Sequence, residues 1–511
     1  MKKTYGVCVG MLAMGLAVLG APVSRAQSKM AAGDSGSGTE TSASAAASSP
    51  ADLDRRIDAL ETELTELRTA LAAKKEAEAA AVVATPAAKP EDAKPAEKVT
   101  LAGLLGPTSI SGFVDTYYQV NFNHPNTGQP NLDTGANFRF SDFRNKTISL
   151  NMLELILDKA PDAMGGVEGR TGYHVSVGFG DGINLTNSFD PAGTEFAKYL
   201  KEAYFSYLAP VGSGLQVDVG KFVTPMGAEV IESKDNWNYS RGLLFTYAIP
   251  LYHFGVRAKY VFNPKYNLTG FVLNGWNNIV DNNSGKTYGF SFNSSPTKTF
   301  TYTVNYLAGP EESNGAFGPT TNVGDAAVGV NGTWRQTWDA IATYTPNSKW
   351  AFMANFDYGR GDRVAITNSE TTPLTLTAPV KWWGGAGYVK YSPDANDYFA
   401  VRYEYFNDPD GFTATSSIPG FSSDPSTQGA AIDYIAPGAF NSVGNINNLH
   451  FNEITATYQR TIASYMLTRF EYRRDMSNYG VYSVSNFGPG AKNQDTAAIS
   501  LIFLFDSRNA K

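Results

Sequence analysis

From Ser109 onward, apolar and polar residues alternate along the chain with a period of two. Phe254, Val256, Ala258 and Tyr260 alternate with Gly255, Arg257 and Lys259, and Phe399, Val401, Tyr403 and Tyr405 with Ala400, Arg402 and Glu404. Phe470 and Tyr472 stand likewise among Arg469, Glu471 and Arg473. Successive side chains of a strand point to opposite faces, so each segment has one apolar and one polar face. Soluble sandwiches alternate too, and connection lengths decide between the two. Candidate strands lie near 111–122, 146–158, 170–180, 199–208, 214–223, 252–262, 266–276, 286–295, 298–308, 335–345, 349–359, 380–392, 397–407, 448–460, 464–475 and 495–505. Brief turns such as Asn263 to Lys265 and Pro346 to Ser348 alternate with long polar loops such as 224–251, 360–379 and 408–447. A barrel with short turns at one end and long loops at the other must do this; a sandwich has no reason to. The predicted fold is all-β, a transmembrane antiparallel barrel of about sixteen strands with an aqueous channel.

One strand breaks phase. Its apolar residues shift from even positions (Ile148, Leu150, Met152) to odd ones (Leu153, Leu155, Leu157). A β-bulge near Met152 would keep Glu154 and Asp158 inward. The alternative is a strand facing a protein contact, such as a subunit interface.

The first hundred residues follow other patterns. Residues 1–26 read as a signal peptide, with Lys2 and Lys3, an apolar Val7 to Val18, and cleavage after Ser24-Arg25-Ala26. Residues 27–48 form a Ser/Ala/Gly linker. Within 49–75, Leu53, Ile57, Leu60, Leu64, Leu67 and Leu71 follow spacings of 4, 3, 4, 3 and 4, a heptad seam. It predicts a coiled coil that holds subunits together, against a solitary amphipathic helix. An Ala/Pro/Lys linker, 76–108, leads to the barrel domain, 109–511.

Composition narrows the classes further. Aromatic residues make up 13% and charged residues 17%, which excludes a disordered chain. The net charge of −7 argues against a nucleic-acid partner. Cys8 is the sole cysteine and lies within the predicted signal, so no disulfide or thiolate metal site is expected. His124, His174, His253 and His450 are scattered without ligand spacing, and neither a metal nor a cofactor is expected. Ser240 and His253 are the nearest approach to a hydrolytic pair, and the chain is not read as an enzyme. Tyr204, Tyr207, Tyr252, Tyr260, Trp338 and Trp350 read as an interfacial girdle against outer-membrane lipid.

Gly112-Phe113-Val114-Asp115-Thr116-Tyr117-Tyr118, with Asn121-Phe122-Asn123, resembles the opening strand of the β-barrel porin-2 family of outer-membrane proteins. Asn151-Met152-Leu153-Glu154-Leu155 and Asn274-Gly275-Trp276-Asn277 through Gly285-Lys286 resemble further stretches, so that the likeness spans about 109–505. It implies a bacterial outer-membrane channel for passive diffusion of small hydrophilic solutes. A coil before a barrel is also similar to the phosphate-selective porins, which form trimers, and so implies a homotrimer. The coil and the C-terminus would then lie in the periplasm. One departure is the tail: Phe503 and Phe505 are followed by Asp506 to Lys511, where many outer-membrane barrels end on an aromatic residue. Two other readings stay open: a channel selective for sugars or anions, and a barrel that mainly tethers the outer membrane to the cell wall through the coil.

The loop 224–251 resembles in position the one that folds into the lumen of sixteen-stranded porins. It carries Glu229, Glu232, Lys234, Asp235 and Arg241, stiffened by Pro225, Trp237 and Pro250. Strand parity places Arg257, Lys259, Arg402, Arg469 and Arg473 on the lumen wall, with Glu404 and Glu471 beside them. Acid on the loop across from base on the wall would set up a transverse field over the solute path. The mixed signs predict no strong anion selectivity, and the acidic balance leans slightly toward cations.

Overall fold

The computed structural model describes residues 106 and 108–509, except 126–137, 143, 165–168, 188–196, 282, 312–333, 368–373, 417–447 and 483–490. The expected signal, linkers and coiled coil, with Leu53, Ile57, Leu60, Leu64, Leu67 and Leu71, lie outside the described residues.

Sixteen strands close into one antiparallel barrel in which every neighbour in sequence is a neighbour in space. They are β1 Ser109–Asn121, β2 Ile148–Lys159, β3 Thr171–Phe179, β4 Leu200–Ala209, β5 Leu215–Val223, β6 Tyr252–Asn263, β7 Tyr266–Leu273 and β8 Thr287–Ser294. The second half comprises β9 Phe300–Pro310, β10 Trp334–Tyr344, β11 Trp350–Thr367, β12 Leu374–Tyr391, β13 Asp397–Asp408, β14 Leu449–Ala463, β15 Met466–Ser477 and β16 Asn493–Asp506. β1 and β16 close the sheet, from Ser111 opposite Asp506 to Asn121 opposite Thr496. Closure leaves no edge strand with unpaired backbone groups, the condition for strands to cross a bilayer. The barrel's first and last residues therefore share one end, and the short turns lie at that same end.

Burial runs opposite to that of a soluble protein. On β13, Phe399, Val401 and Tyr403 are 51%, 43% and 51% exposed, while Arg402 and Glu404, on the opposite face, are fully buried. An apolar outer belt over a polar interior is stable only against hydrocarbon.

Two bulges reset the alternation. Asp115 faces Met152 and Thr116 faces Leu150, so Asn151 is the extra residue on β2. Asn151, Met152 and Glu154 are all buried, which accounts for the phase break in that strand. On β4, Ser176 faces Glu202 and Val177 faces Leu200. The intervening Lys201 is buried along with Glu202, so two consecutive charged residues both enter the interior.

The segment 360–379, read from sequence as a loop, is instead largely hairpin. β11 and β12 stay paired from Trp350 opposite Tyr391 as far as Thr367 opposite Leu374. The alternation in Val364-Ala365-Ile366-Thr367 and Leu374-Thr375-Leu376-Thr377 continues the ladder beyond the expected strand ends.

The hydrophobic core sits inside the barrel. Residues 243–251 enter it through a π-helical turn, Leu244–Ala248. Phe245 meets Phe140 edge-on at 5.0 Å, and Tyr247 stacks on Phe406 and Phe451 at 5.8 and 6.3 Å. Trp382 donates its ring N–H to the Ala248 carbonyl at 3.0 Å. Apolar burial thus fixes residues 243–251, the C-terminal third of the segment 224–251, before any charge is considered.

Candidate functional site

The loop 224–251 leaves β5 and returns to β6 through a pinch in which the Thr224 amide donates to the Leu251 carbonyl. Between these points it runs inside the barrel, largely irregular apart from a 3-10 turn at Ser233–Asp235 and the π-helical turn. Its backbone N–H and C=O groups are out of bulk water and need partners. The wall supplies them.

From β9 and β11, Asn305 donates to the Pro225 carbonyl at 3.0 Å and Asn355 accepts from the Ala228 amide at 2.9 Å. From β1, Asp115 accepts from the Ser233 hydroxyl at 2.6 Å and from Tyr239 at 3.2 Å. From β15, Arg469 donates to the carbonyls of Ser233 and Asn236. Glu471 accepts the Tyr239 and Ser240 amides at 2.6 and 3.0 Å, and Arg473 donates to the Arg241 carbonyl at 2.6 Å. From β13, Arg402 donates to the Ser240 carbonyl at 2.6 Å and Glu404 accepts the Leu243 amide. Charge-assisted bonds of this kind are about twice as strong as neutral ones, and here they are shielded from water.

Side-chain ion pairs add to the grip. Arg402 lies 2.5 Å from both Glu229 of the loop and Glu453 of β14. On the other side of the loop, Lys201 bridges Glu154 of β2 at 2.6 Å and Glu232 of the loop. Burial by itself would raise the Glu232 carboxyl, but the adjacent Lys201 ammonium outweighs it and holds the group below its ordinary value. Gly242 fits because no side chain is present: a Cβ there would overlap the Glu404 carboxylate.

The sequence-predicted residues thus fall into four groups. Glu229, Glu232, Arg402, Glu404, Arg469, Glu471 and Arg473 are brought together, in contact across the loop–wall seam. Lys234 pairs with Asp235 at 2.5 Å at the loop tip, facing a cavity of about 450 Å³ at the short-turn end with Tyr465 and Arg508. Arg241 is buried beneath Phe140 and bonds Ser141 and the Tyr239 carbonyl. Arg257 and Lys259 stand apart from the loop's charges. Arg257 pairs with Asp218 at 2.7 Å and lies between the Tyr204 and Phe222 rings. The expected transverse field needs an aqueous gap between acid and base. In the seam the opposite charges touch, because wall and loop exclude the water that would separate them.

Other expectations need correction. Tyr204 faces the interior, stacked on His174 at 5.1 Å, and Tyr252 is fully buried with its hydroxyl donating to the Asn277 carbonyl. Neither belongs to an outer girdle, whereas Trp338 and Trp350 are 44% and 40% exposed on the outer face. His253 and Ser240 do not bond each other. The imidazole sits between the Thr224 hydroxyl and the Gly275 carbonyl, and Ser240 lies under Arg402 and Arg473. Lys201 and Asp115 escaped the sequence reading. The adjacent Lys201-Glu202 pair carried the signal, since strict alternation would push one of the two charges into lipid.

Residues 107–505 match the family described as "Putative beta-barrel porin-2, OmpL-like". The chain belongs to this family. It is an outer-membrane porin, a β-barrel channel. Among solved structures, similar barrels include the trimer form of OmpT from Vibrio cholerae, at 12% identity. That match covers 78% of this chain and 99% of the other, with a TM-score of 0.44. An anion-selective porin from Comamonas acidovorans matches at 9% identity with the same coverages and TM-score. The channel DcaP of Acinetobacter baumannii matches at 10% identity over 78% and 97% of the two chains, with a TM-score of 0.43. No curated protein matches the chain.

Proposed function

We propose that this porin passes small hydrophilic solutes through a lumen narrowed by the loop 224–251, and that the β13–β15 wall fixes the loop rather than lining the solute path. The observation that carries this reading is the burial of the wall's guanidinium groups beneath the loop. Arg402, Arg469 and Arg473 are each no more than 1% exposed and are held by the loop and by neighbouring wall side chains, and the one amino nitrogen of Arg473 left without a hydrogen bond among the described residues is itself buried. A guanidinium in that state cannot hand a solute along. The path then runs along strands whose inward side chains remain open to solvent.

The reading places the short-turn end and both barrel termini in the periplasm, as expected of a barrel with long outer loops. It also makes the protein a homotrimer held by the heptad seam from Leu53 to Leu71. The barrel is read as a channel without a catalytic step. Recording from the protein before and after loosening the loop's anchors tests the reading, since a fixed constriction gives steady conductance and a loosened one does not.

A further inference from the structure

Along β5 to β8 the interior keeps an open cavity of about 430 Å³, lined by Gln216, Asp218, Arg257, Lys259, Asn267 and Ser291 among others. Pro225, at the root of the loop, forms its roof. It is therefore a part of the lumen that the loop leaves free.

The charges facing it do not cancel. Asp218 is the acid on its wall, and it is already engaged by Arg257, the Ser206 hydroxyl and the Gln216 amide. Lys259 is exposed and, among the described residues, has neither an ion-pair nor a hydrogen-bond partner. Nearby, Asn267 accepts from Asn293 through its carbonyl, which leaves its amide N–H₂ without an acceptor among the described residues. Lys259 pairs in register with Thr269 and Asn267 with Val261, two residues along, so the two free donors are diagonal neighbours on one wall. The loop acids that could have balanced Lys259 are held elsewhere: Glu229 by Arg402, Glu232 by Lys201 and Asp235 by Lys234.

We infer that this cavity is an anion subsite of the permeation path, in which small organic anions pause against Lys259 and Asn267. A carboxylate or phosphate group takes the ammonium and amide donors, and its hydroxyls find the amides and hydroxyls of the remaining wall. The inference reverses the slight cation lean read from total charge, because selectivity follows the unpaired charges on the path rather than the sum over the chain. It rests on the channel reading above.

The test is bilayer recording of the mature full-length protein in a potassium chloride gradient, then with sodium gluconate added. Wild type should show a reversal potential favouring chloride and a gluconate-dependent drop in chloride current. In Lys259→Gln the permeability ratio should fall toward about unity. Lys259→Cys supplies the same comparison within one folded channel, because Cys8 lies in the predicted signal. A cationic methanethiosulfonate reagent should restore chloride preference there, and an anionic reagent should reverse it. A conducting wild type that prefers potassium, or reversal potentials that ignore Lys259, would overturn the subsite and leave the channel standing. A silent wild type would remove the channel reading and the subsite together.

Discussion

Arg402 and Glu229 lie 173 positions apart in the chain and 2.5 Å apart in the folded barrel. One belongs to the wall and the other to the loop, and both are buried. Their pairing ties the interior loop to β13.

Replacing Arg402 by Met should free the loop. The substitution keeps much of the side-chain volume but leaves Glu229 and Glu453 buried without their shared counter-charge. Breaking such a pair costs on the order of 3–5 kcal/mol. Heat-modifiability on gels should show unfolding at lower temperature, and single-channel traces should become larger or noisier. Unchanged traces and unchanged melting would mean that Arg402 does not anchor the loop.

Acid should release the Lys201 side of the grip, but only strong acid. Glu232 is held below its ordinary value of 4.5 by Lys201. A lowered folded-state value means that the stabilisation is complete above 4.5 and disappears as pH falls through the lower one. Conductance should therefore be steady between about pH 7 and pH 5 and change only below that range. Glu232→Gln should remove the acid-dependent step. A transition near neutral pH that persists in Glu232→Gln would show that another group governs the loop.

Gly242→Ala is expected to push the loop away from β13. The new methyl overlaps the Glu404 carboxylate, which accepts the Leu243 amide. Channel conductance should change although no charge is altered, and Glu404→Asp in the same chain should give partial relief by withdrawing the carboxylate. Normal conductance in Gly242→Ala would show that the close approach is unimportant.

Deleting residues 49–75 should weaken assembly. The mature protein in detergent should have the mass of a trimer, and the deletion should raise the monomer fraction on dilution. A trimer that persists without the segment would place the assembly contacts on the barrel.

Much of the barrel could be read from the sequence because lipid and lumen impose a strict period of two. On β6, β13 and β15, Phe254, Val256, Phe399, Val401, Tyr403, Phe470 and Tyr472 face out, and Arg257, Arg402, Glu404, Arg469, Glu471 and Arg473 face in, as parity dictates. Asn151 and Lys201 were harder, because a bulge adds one residue and the pattern records only a slip of phase. The slip was visible at β2, where three apolar residues shift together, whereas at β4 only the adjacent charges of Lys201 and Glu202 mark it. The loop 224–251 could be singled out by its length and charge. What its charges do was not legible. Glu229 could face water or Arg402, and only the loop's path decides. That path follows from burying Phe245, Tyr247 and their neighbours against Phe140, Phe406 and Phe451, contacts between segments far apart in the chain. Tyr204 and Tyr252 misled for a related reason: a tyrosine near a strand end serves lipid or lumen equally well, and only the groups it meets in the folded barrel assign it.

The central claim is that a fixed interior loop narrows an otherwise open channel. Its most direct test compares single-channel conductance of the mature protein with that of a form lacking residues 228–242. The account predicts steady conductance from the intact protein and a larger one from the deletion. Equal conductance in the two forms, or none in either, would contradict it.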